Sequence, residues 1–260
     1  MLIFDELAEA KKILSDKDLE YFNLNKMTIL AKYFSYIGKS KKEIRESMID
    51  FCNSQHYIKY DSGDDATITK AINSLKKYKI RLPKMCFVTQ DELDEIGTIN
   101  NPKTERIFFV MICLAKYAKE TNTAKVQKEY PEEKLIYWGT TAELFKLARY
   151  SENFFNRNII IGDIEDLSYI ETKPNKDRTK NHIEINTYYK GSSPVIFFDN
   201  PEYVYKLYKA YKDEKLIQCV VCGNSTVKNS NRQTMCERCW KENRRIYKTE
   251  KQREYRRVDS

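Results

Sequence analysis

The sequence predicts a mainly α-helical protein with a small β component, and three observations lead to this fold class. Apolar residues recur at helical spacing through much of the first 120 residues, as in the stripe from Met27 to Ile37. Two short runs, 169–173 and 182–188, alternate between apolar and polar residues around a polar loop, which is typical of a β-hairpin. Two Cys-x-x-Cys pairs, followed by a basic run without Pro or Gly, lie beyond residue 218.

Several helices are predicted by their starting residues. Ser40 to Glu43, Thr89 to Glu92 and Thr140 to Glu143 each place a hydroxyl side chain three residues before a Glu, which is the pattern of a helix N-terminus. Ser151 can cap a further helix that carries Phe154, although the run from Ile159 to Gly162 disfavours a continuous helix there. The helical stripe that begins at Met27 ends at Gly38, a residue typical of a helix C-terminus.

Length and composition exclude several classes of protein. The chain has 260 residues, of which 41% are hydrophobic and 32% charged, with few Gly and Pro, so collagen-like and mostly disordered chains are excluded. No apolar run approaches the roughly 20 residues that span a bilayer. The N-terminus also lacks the basic segment and apolar core of a secretory signal. We therefore expect a cytoplasmic protein with no membrane partner.

Breaks in these patterns divide the chain into four segments. A helical module covers residues 1–100 and ends at the Asn-Asn-Pro sequence that follows. A long apolar helix opens a second domain, residues 101–192, which ends with the predicted hairpin. A linking helix occupies residues 193–215. Residues 216–260 contain the cysteine pairs and a basic C-terminal helix.

The second domain resembles the winged helix-turn-helix family in the order of its elements. Residues 107–118 correspond to a support helix, 141–149 to the positioning helix and 152–167 to the recognition helix, and the hairpin corresponds to the wing. The sequence departs from the family at the entrance to the wing, where Ser168 replaces the usual Gly. The resemblance implies a DNA-binding domain whose recognition helix enters the major groove.

This resemblance implies two sets of nucleic-acid contacts. Polar residues near the start of the recognition helix would read base edges, and basic residues of the wing would neutralise phosphates. The first set is Asn153, Asn156 and Arg157, and the second is Lys173, Lys176, Arg178 and Lys180. Two alternatives stay open, because polar residues also mark the solvent face of any helix and winged helices also serve as protein-interaction modules.

The four clustered cysteines predict a structural metal site. Cys219 and Cys222 form one pair, Cys236 and Cys239 form the other, and 13 residues separate the pairs. Four thiolates complete the tetrahedral coordination of one Zn²⁺ ion and leave no open position for catalysis. This segment resembles the zinc-ribbon family. Redox Cys-x-x-Cys pairs and an iron–sulfur cluster are alternatives that lack a matching sequence context. The three remaining cysteines, Cys52, Cys86 and Cys113, are predicted to be buried thiols and are called the core thiols below.

Charge is concentrated in the C-terminal segment. The whole chain carries 46 Lys and Arg against 38 Asp and Glu, but the residues from Cys219 onward carry 11 against 5. Such asymmetry indicates a polyanionic partner. The predicted nucleic-acid contacts in this segment are one aromatic and seven basic residues: Arg244, Arg245, Tyr247, Lys248, Lys251, Arg253, Arg256 and Arg257. A solvated basic helix, or one that folds only on its partner, is the alternative interpretation.

We expect a non-enzymatic nucleic-acid-binding protein, with DNA favoured over RNA. The combined architecture resembles regulators or replication-associated factors of phages and other mobile elements. The alternative hypothesis is a protein-interaction factor that inhibits a host nucleic-acid enzyme, for example an anti-defence protein. A metal nuclease built on Asp163, Glu165 and Asp166 is disfavoured, because neighbouring acids on a helix surface are usually only solvated.

Overall fold

The computed structural model describes residues 6–16, 23–55, 60–76, 79–80, 82, 84–121, 135–173, 181–186 and 193–258, and gives the backbone alone for Ser62, Trp138, Asn181 and 253–258. Within this range helices dominate and the strands form small antiparallel sheets, which confirms a mainly α protein with a small β component. The chain divides into two compact units, Met1–Pro83 and Lys84–Ser260.

The described part of the first unit is helical, and one helix contacts each of the others. Its elements are α1 (Glu6–Ser15), α2 (Leu24–Tyr36), α3 (Lys41–Asn53) and α4 (Ser62–Ser74). Helix α2 packs against α1, α3 and α4, so Met27, Leu30 and Phe34 of the apolar stripe lie in the core of this unit, whereas Ile37 at its end is exposed. The buried Lys32 ammonium donates to the Glu6 carboxylate at 2.8 Å and joins α2 to α1.

The helix starts predicted at Ser40, Thr89 and Thr140 are confirmed, whereas the cap predicted at Ser151 is wrong, because Asn153 caps the helix that begins at Phe154. The Glu43 amide donates to the Ser40 hydroxyl, while the Ser40 amide donates back to the Glu43 carboxylate at 2.7 Å, which forms a complete capping box at α3. The same reciprocal arrangement opens the helices that follow Thr89 and Thr140. Local side-chain chemistry therefore sets where these helices begin.

The second unit begins before the domain boundary predicted at residue 100. Strand β1 (Cys86–Thr89) pairs antiparallel with β5 (Pro194–Phe198), and helix α5 (Gln90–Gly97) packs on the long helix α6 (Pro102–Thr121). The buried Lys116 ammonium of α6 donates to the Glu92 carboxylate of α5 at 2.6 Å. These contacts place residues 84–100 with the second unit, and they put a strand at the start of the segment predicted as a linking helix.

The centre of the second unit combines two helices with a three-stranded sheet around α6. Strand β2 (Leu135–Gly139) is followed by α7 (Thr141–Leu147), α8 (Phe154–Asp166), β3 (Ile170–Lys173) and β4 (Asn181–Ile185). The sheet order is β2-β4-β3 with both pairings antiparallel, so β4 lies between the other two strands. Helices α7 and α8 and strand β2 all contact α6, whose sequence is buried along most of its length.

Two local features of this region differ from what its sequence favours. Helix α8 continues through Gly162, because Ile160, Ile161 and Ile164 are buried and their packing holds the helical backbone. Ser168 has a φ of 62°, in the left-handed region that Gly adopts without strain. The Asn186 side chain donates to the Ser168 carbonyl at 2.9 Å and helps to hold this turn.

The C-terminal part of the second unit is attached to α6 through a helix. A 3₁₀ turn, Pro201–Tyr203, leads into α9 (Val204–Lys212), whose Tyr208 hydroxyl donates to the buried Glu105 carboxylate at 2.6 Å. The chain then forms a hairpin of β6 (Leu216–Gln218) and β7 (Ser225–Val227) and ends in α10 (Glu237–Val258). None of the described helices combines the length and apolar character needed to cross a membrane.

Candidate metal centre and basic helix

The four clustered cysteines converge on one point. The Sγ atoms of Cys219, Cys222, Cys236 and Cys239 all lie within 4.8 Å of one another, and none is in a disulfide. The Cys222 and Cys236 sulfurs are 3.8 Å apart. A tetrahedral ion with metal–sulfur bonds of about 2.3 Å requires sulfur separations of about 3.8 Å. The cluster can therefore hold one metal ion without rearrangement of this pair.

Short-range backbone bonds shape this cluster. The Cys219 amide donates to the Asn224 carbonyl and the Gly223 amide to the Cys219 carbonyl, each at 2.9 Å, and together these bonds close a tight turn around the first pair. Gly223 has a φ of 74°, which a side chain would strain. The second pair lies at the start of α10, where the Cys239 amide donates to the Cys236 sulfur at 3.5 Å.

Hydrogen bonding makes the cysteines chemically unequal. Burial raises the pKa of the Cys219 thiol, but backbone amides of Cys236, Cys222 and Val221 donate to the sulfur and lower that pKa to about 6 overall. Burial, followed by hydrogen bonding among the thiols, raises the pKa of Cys239 to about 12. Thiols bind metal ions as thiolates, so the Cys219 sulfur is readily ionised, whereas the Cys239 sulfur needs a nearby cation to ionise it.

The cysteine module, residues 216–240, is docked on the rest of its unit. The Arg238 guanidinium donates to the Asp199 carboxylate at 2.8 Å, directly after β5. The Ser225 hydroxyl accepts from the Phe197 amide of β5 at 2.9 Å. Helix α9 also contacts both strands of the module. The module therefore has a fixed position on the β1–β5 sheet.

Beyond the module, α10 extends into solvent. Every described side chain from Trp240 to Gln252 is exposed, so within the described residues this part of α10 contributes no buried side chain. A helix that is polar on all sides gains little stability from packing, and it depends on side-chain pairs along the helix or on a partner. Two such pairs are present: Lys241 with Glu237 at 2.5 Å, and Arg245 with Glu242 at 2.8 Å.

The five cations of α10 between residues 241 and 251 share one side of the helix. At about 100° per residue, those between residues 241 and 251 fall within an arc of about 120°. We call this set the basic face: Lys241, Arg244, Arg245, Lys248 and Lys251. Two aromatic rings lie along one edge of the arc. The Arg244 guanidinium lies 5.1 Å from the Trp240 ring centroid, and the Lys251 ammonium lies 5.9 Å from that of Tyr247.

The remaining predicted contacts are only partly described. Tyr247 of α10 is 60% exposed, whereas the side chains of Arg253, Arg256 and Arg257 lie outside the described residues. Lys176, Arg178 and Lys180 also lie outside them. Lys173 is at the end of β3 and forms an ion pair with Glu171.

The polar residues predicted to read bases make contacts with neighbouring residues at the start of α8. The Asn153 side chain caps α8 by accepting from the Asn156 amide at 2.8 Å, and the Asn156 side chain donates to Glu152 at 3.0 Å. The Arg157 guanidinium is half-buried and lies 6.0 Å from the Phe145 ring centroid. The exposed side chains of α8 include Asn156 and Asn158, but also Phe154, Phe155 and Ile159, and the apolar pattern alone did not distinguish these three from a core-facing stripe.

The acids considered for catalysis do not assemble into a cation site. Glu165 accepts from the Thr172 amide at 2.8 Å, while Asp163 and Asp166 are exposed on α8. Among the described side chains of His, Cys, Asp and Glu, the cluster of four cysteines is the group placed to hold a metal ion.

Comparison of the chain with protein-family models, with curated proteins and with solved structures finds no match.

Proposed function

We propose that this protein binds nucleic acid through the basic face of α10, acting by binding and not by catalysis. The basic face carries the proposal. Five cations within one arc, on a stretch of helix whose described side chains are all exposed, form a surface suited to a polyanion and to few other ligands. Lys and Arg side chains in this arrangement neutralise backbone phosphates, which gives affinity without requiring a particular sequence.

We propose zinc as the metal of the cysteine module, in a structural role. Four thiolates at these separations match tetrahedral Zn²⁺, and full coordination by protein leaves no position for a substrate. The module has two three-residue strands and little core of its own, so metal binding would supply much of its folding free energy. A zinc-ribbon arrangement of this kind fixes the direction in which α10 leaves the protein.

The segment from α6 to β4 supports a winged-helix arrangement in this proposal. Helices α7 and α8 are joined by a short turn and are followed by the β3–β4 hairpin, and β2 completes a sheet with β4 at its centre. On this basis we keep DNA as the favoured ligand, and a regulator or replication-associated factor of a phage or mobile element as the favoured setting. We assign the main contact to α10 because the described solvent face of α8 carries no cluster of cations.

Aromatic rings beside the cations suggest how the ligand would be held. Trp240 and Tyr247 each have a cation near one ring face, and both rings are about half exposed. An exposed ring can stack on an unpaired base, whereas a duplex offers α10 only grooves and phosphates. Comparison of single-stranded and duplex ligands therefore tests what the rings contribute.

The test is binding of the full zinc-loaded chain to duplex DNA, single-stranded DNA and RNA of unrelated sequence, with salt titrated. The matched control ends at Trp240, because that chain retains all four cysteines and removes the basic face. We expect salt-sensitive binding by the full chain and a large loss in the shorter one. Equal binding by both chains would refute the role of α10, and no binding at low salt would refute the function.

A further inference from the structure

The solvent face of α8 is apolar although the helix lies in a folded unit. Phe154 and Phe155 are 73% and 72% exposed, and Ile159 is 46% exposed. Ile160, Ile161 and Ile164 fill the opposite side and are buried, so the helix already has a complete core-facing stripe. Adjacent exposed side chains of this size on one face mark an interaction surface more often than isolated exposed residues do.

Gly162 lies on the same face, two turns beyond Phe155. Gly is a poor residue for a helix interior. A Cβ added to Gly162 would meet nothing within 4 Å, so packing against the described residues does not require Gly here. Its missing side chain leaves a shallow notch beside Ile159 into which a large side chain from outside can fit.

The acidic side chains of α8 also lie at the end of the helix where its dipole does not favour them. Its first turn contains no acid and its last turn no base, while Asp163, Glu165 and Asp166 all lie in the C-terminal half. This is the reverse of the distribution that the helix dipole favours. A second α8 in antiparallel orientation would place each acidic half beside the positive N-terminal end of the other helix.

We propose that two copies of this chain associate through antiparallel α8 helices, with Phe155 of each copy seated on Gly162 of the other. A two-fold axis between Asn158 and Ile159 produces this pairing. It also sets Asp163 opposite Phe154 and Asp166 opposite Ser151, while Glu165 lies opposite Glu152, whose carboxylate is already paired with Lys103. The interface uses one surface of the chain twice, as two-fold symmetry requires. This inference does not depend on nucleic-acid binding.

The size of the surface indicates how strong the association is. The three exposed apolar side chains offer on the order of 350 Å² per copy, or about 700 Å² in a dimer before polar contacts are counted. Stable complexes bury at least about 1,200 Å². We therefore expect a reversible dimer that forms in the micromolar range and not an obligate one.

Sedimentation velocity of the full zinc-loaded chain, treated with nuclease and measured from about 1 to about 100 μM, tests the pairing. We expect a concentration-dependent shift from monomer to dimer. Phe155→Gly should remove the shift by deleting the side chain that fills the notch, and Gly162→Phe should remove it by blocking the notch. Phe155 is exposed and a Cβ added at Gly162 meets nothing within 4 Å, so both variants should keep the wild-type circular dichroism spectrum. The matched control Tyr247→Asp changes an exposed aromatic on α10 and should dimerise normally.

The double variant Phe155→Gly with Gly162→Phe gives the sharpest result. Exchange of the two residues recreates the same contact in the antiparallel pair, so dimerisation should return although each single change removes it. A monomer at every concentration, a dimer unaffected by the single changes, or failure of the exchange to restore it would each overturn the proposal. Nucleic-acid binding by a monomeric variant would leave the proposed function intact.

Discussion

Removal of the basic face of α10 should lower nucleic-acid affinity by an amount that the structure sets. Each Lys or Arg that neutralises a phosphate contributes a slope of about −0.9 to the dependence of log K on log salt for duplex DNA. When salt falls from 1 M to 0.1 M, this slope raises the affinity about eightfold for each contact. Five contacts therefore predict a slope near −4.5 and about 10⁴-fold weaker binding when all five residues are Gln.

The existing ion pairs predict which single substitutions lower the affinity most. Lys241 and Arg245 are paired with Glu237 and Glu242, and they must share or lose those partners on binding. Arg244→Gln and Lys248→Gln should each cost about eightfold at 0.1 M salt, and Lys241→Gln and Arg245→Gln roughly two- to fourfold.

Fluorescence anisotropy with a labelled duplex, repeated at four or more salt concentrations, measures both affinity and slope. Lys209→Gln is the matched control, because it removes one exposed cation from another helix of the same unit. Its slope should equal that of the wild type. If the variant with all five residues changed kept the wild-type slope, the basic face would not contact phosphates and this reasoning would be refuted.

Three further predictions concern the metal, a buried ion pair and the core thiols. Cys222→Ser should abolish binding of one zinc ion per chain, measured by mass spectrometry under native conditions, whereas Cys86→Ala should retain the ion. Lys116→Met should destabilise the fold by about 3–5 kcal/mol in urea unfolding because it leaves Glu92 charged and buried, and adding Glu92→Gln should recover much of that loss. Burial raises the pKa of all three core thiols, two of them to about 12, so they should stay unreactive toward Ellman's reagent at pH 8 until the chain unfolds. Fast reaction of a core thiol in the folded chain would contradict its burial.

Features that depend on neighbouring residues were predictable from the sequence. Capping boxes fix helix starts within four residues, so those at Ser40 and Thr140 appear where the pattern places them. The hairpin strands follow from alternation, and the convergence of the cysteines follows from their spacing. In each case the chemistry that sets the structure lies within a short stretch of chain.

Features that depend on distant contacts were not predictable in this way. The β1–β5 pairing joins Cys86 to Phe198, and no local pattern specifies which distant strand completes a ladder. The apolar residues of α8 cover more than one side of the helix, so the sequence did not show that Phe155 faces solvent while Ile161 is buried. That distinction depends on where α6 and α7 pack, which is a tertiary property.

Hydrogen exchange along α10, with and without nucleic acid, tests the central claim most directly. Side chains 240–252 are all exposed, so the amides of this stretch should exchange early in the free protein. Bound nucleic acid should slow their exchange, while amides in the core of α6 keep their original rates. Protection at α10 in the bound state is the result that the account predicts. Unchanged exchange at α10 under conditions where the chain is saturated with ligand would contradict it.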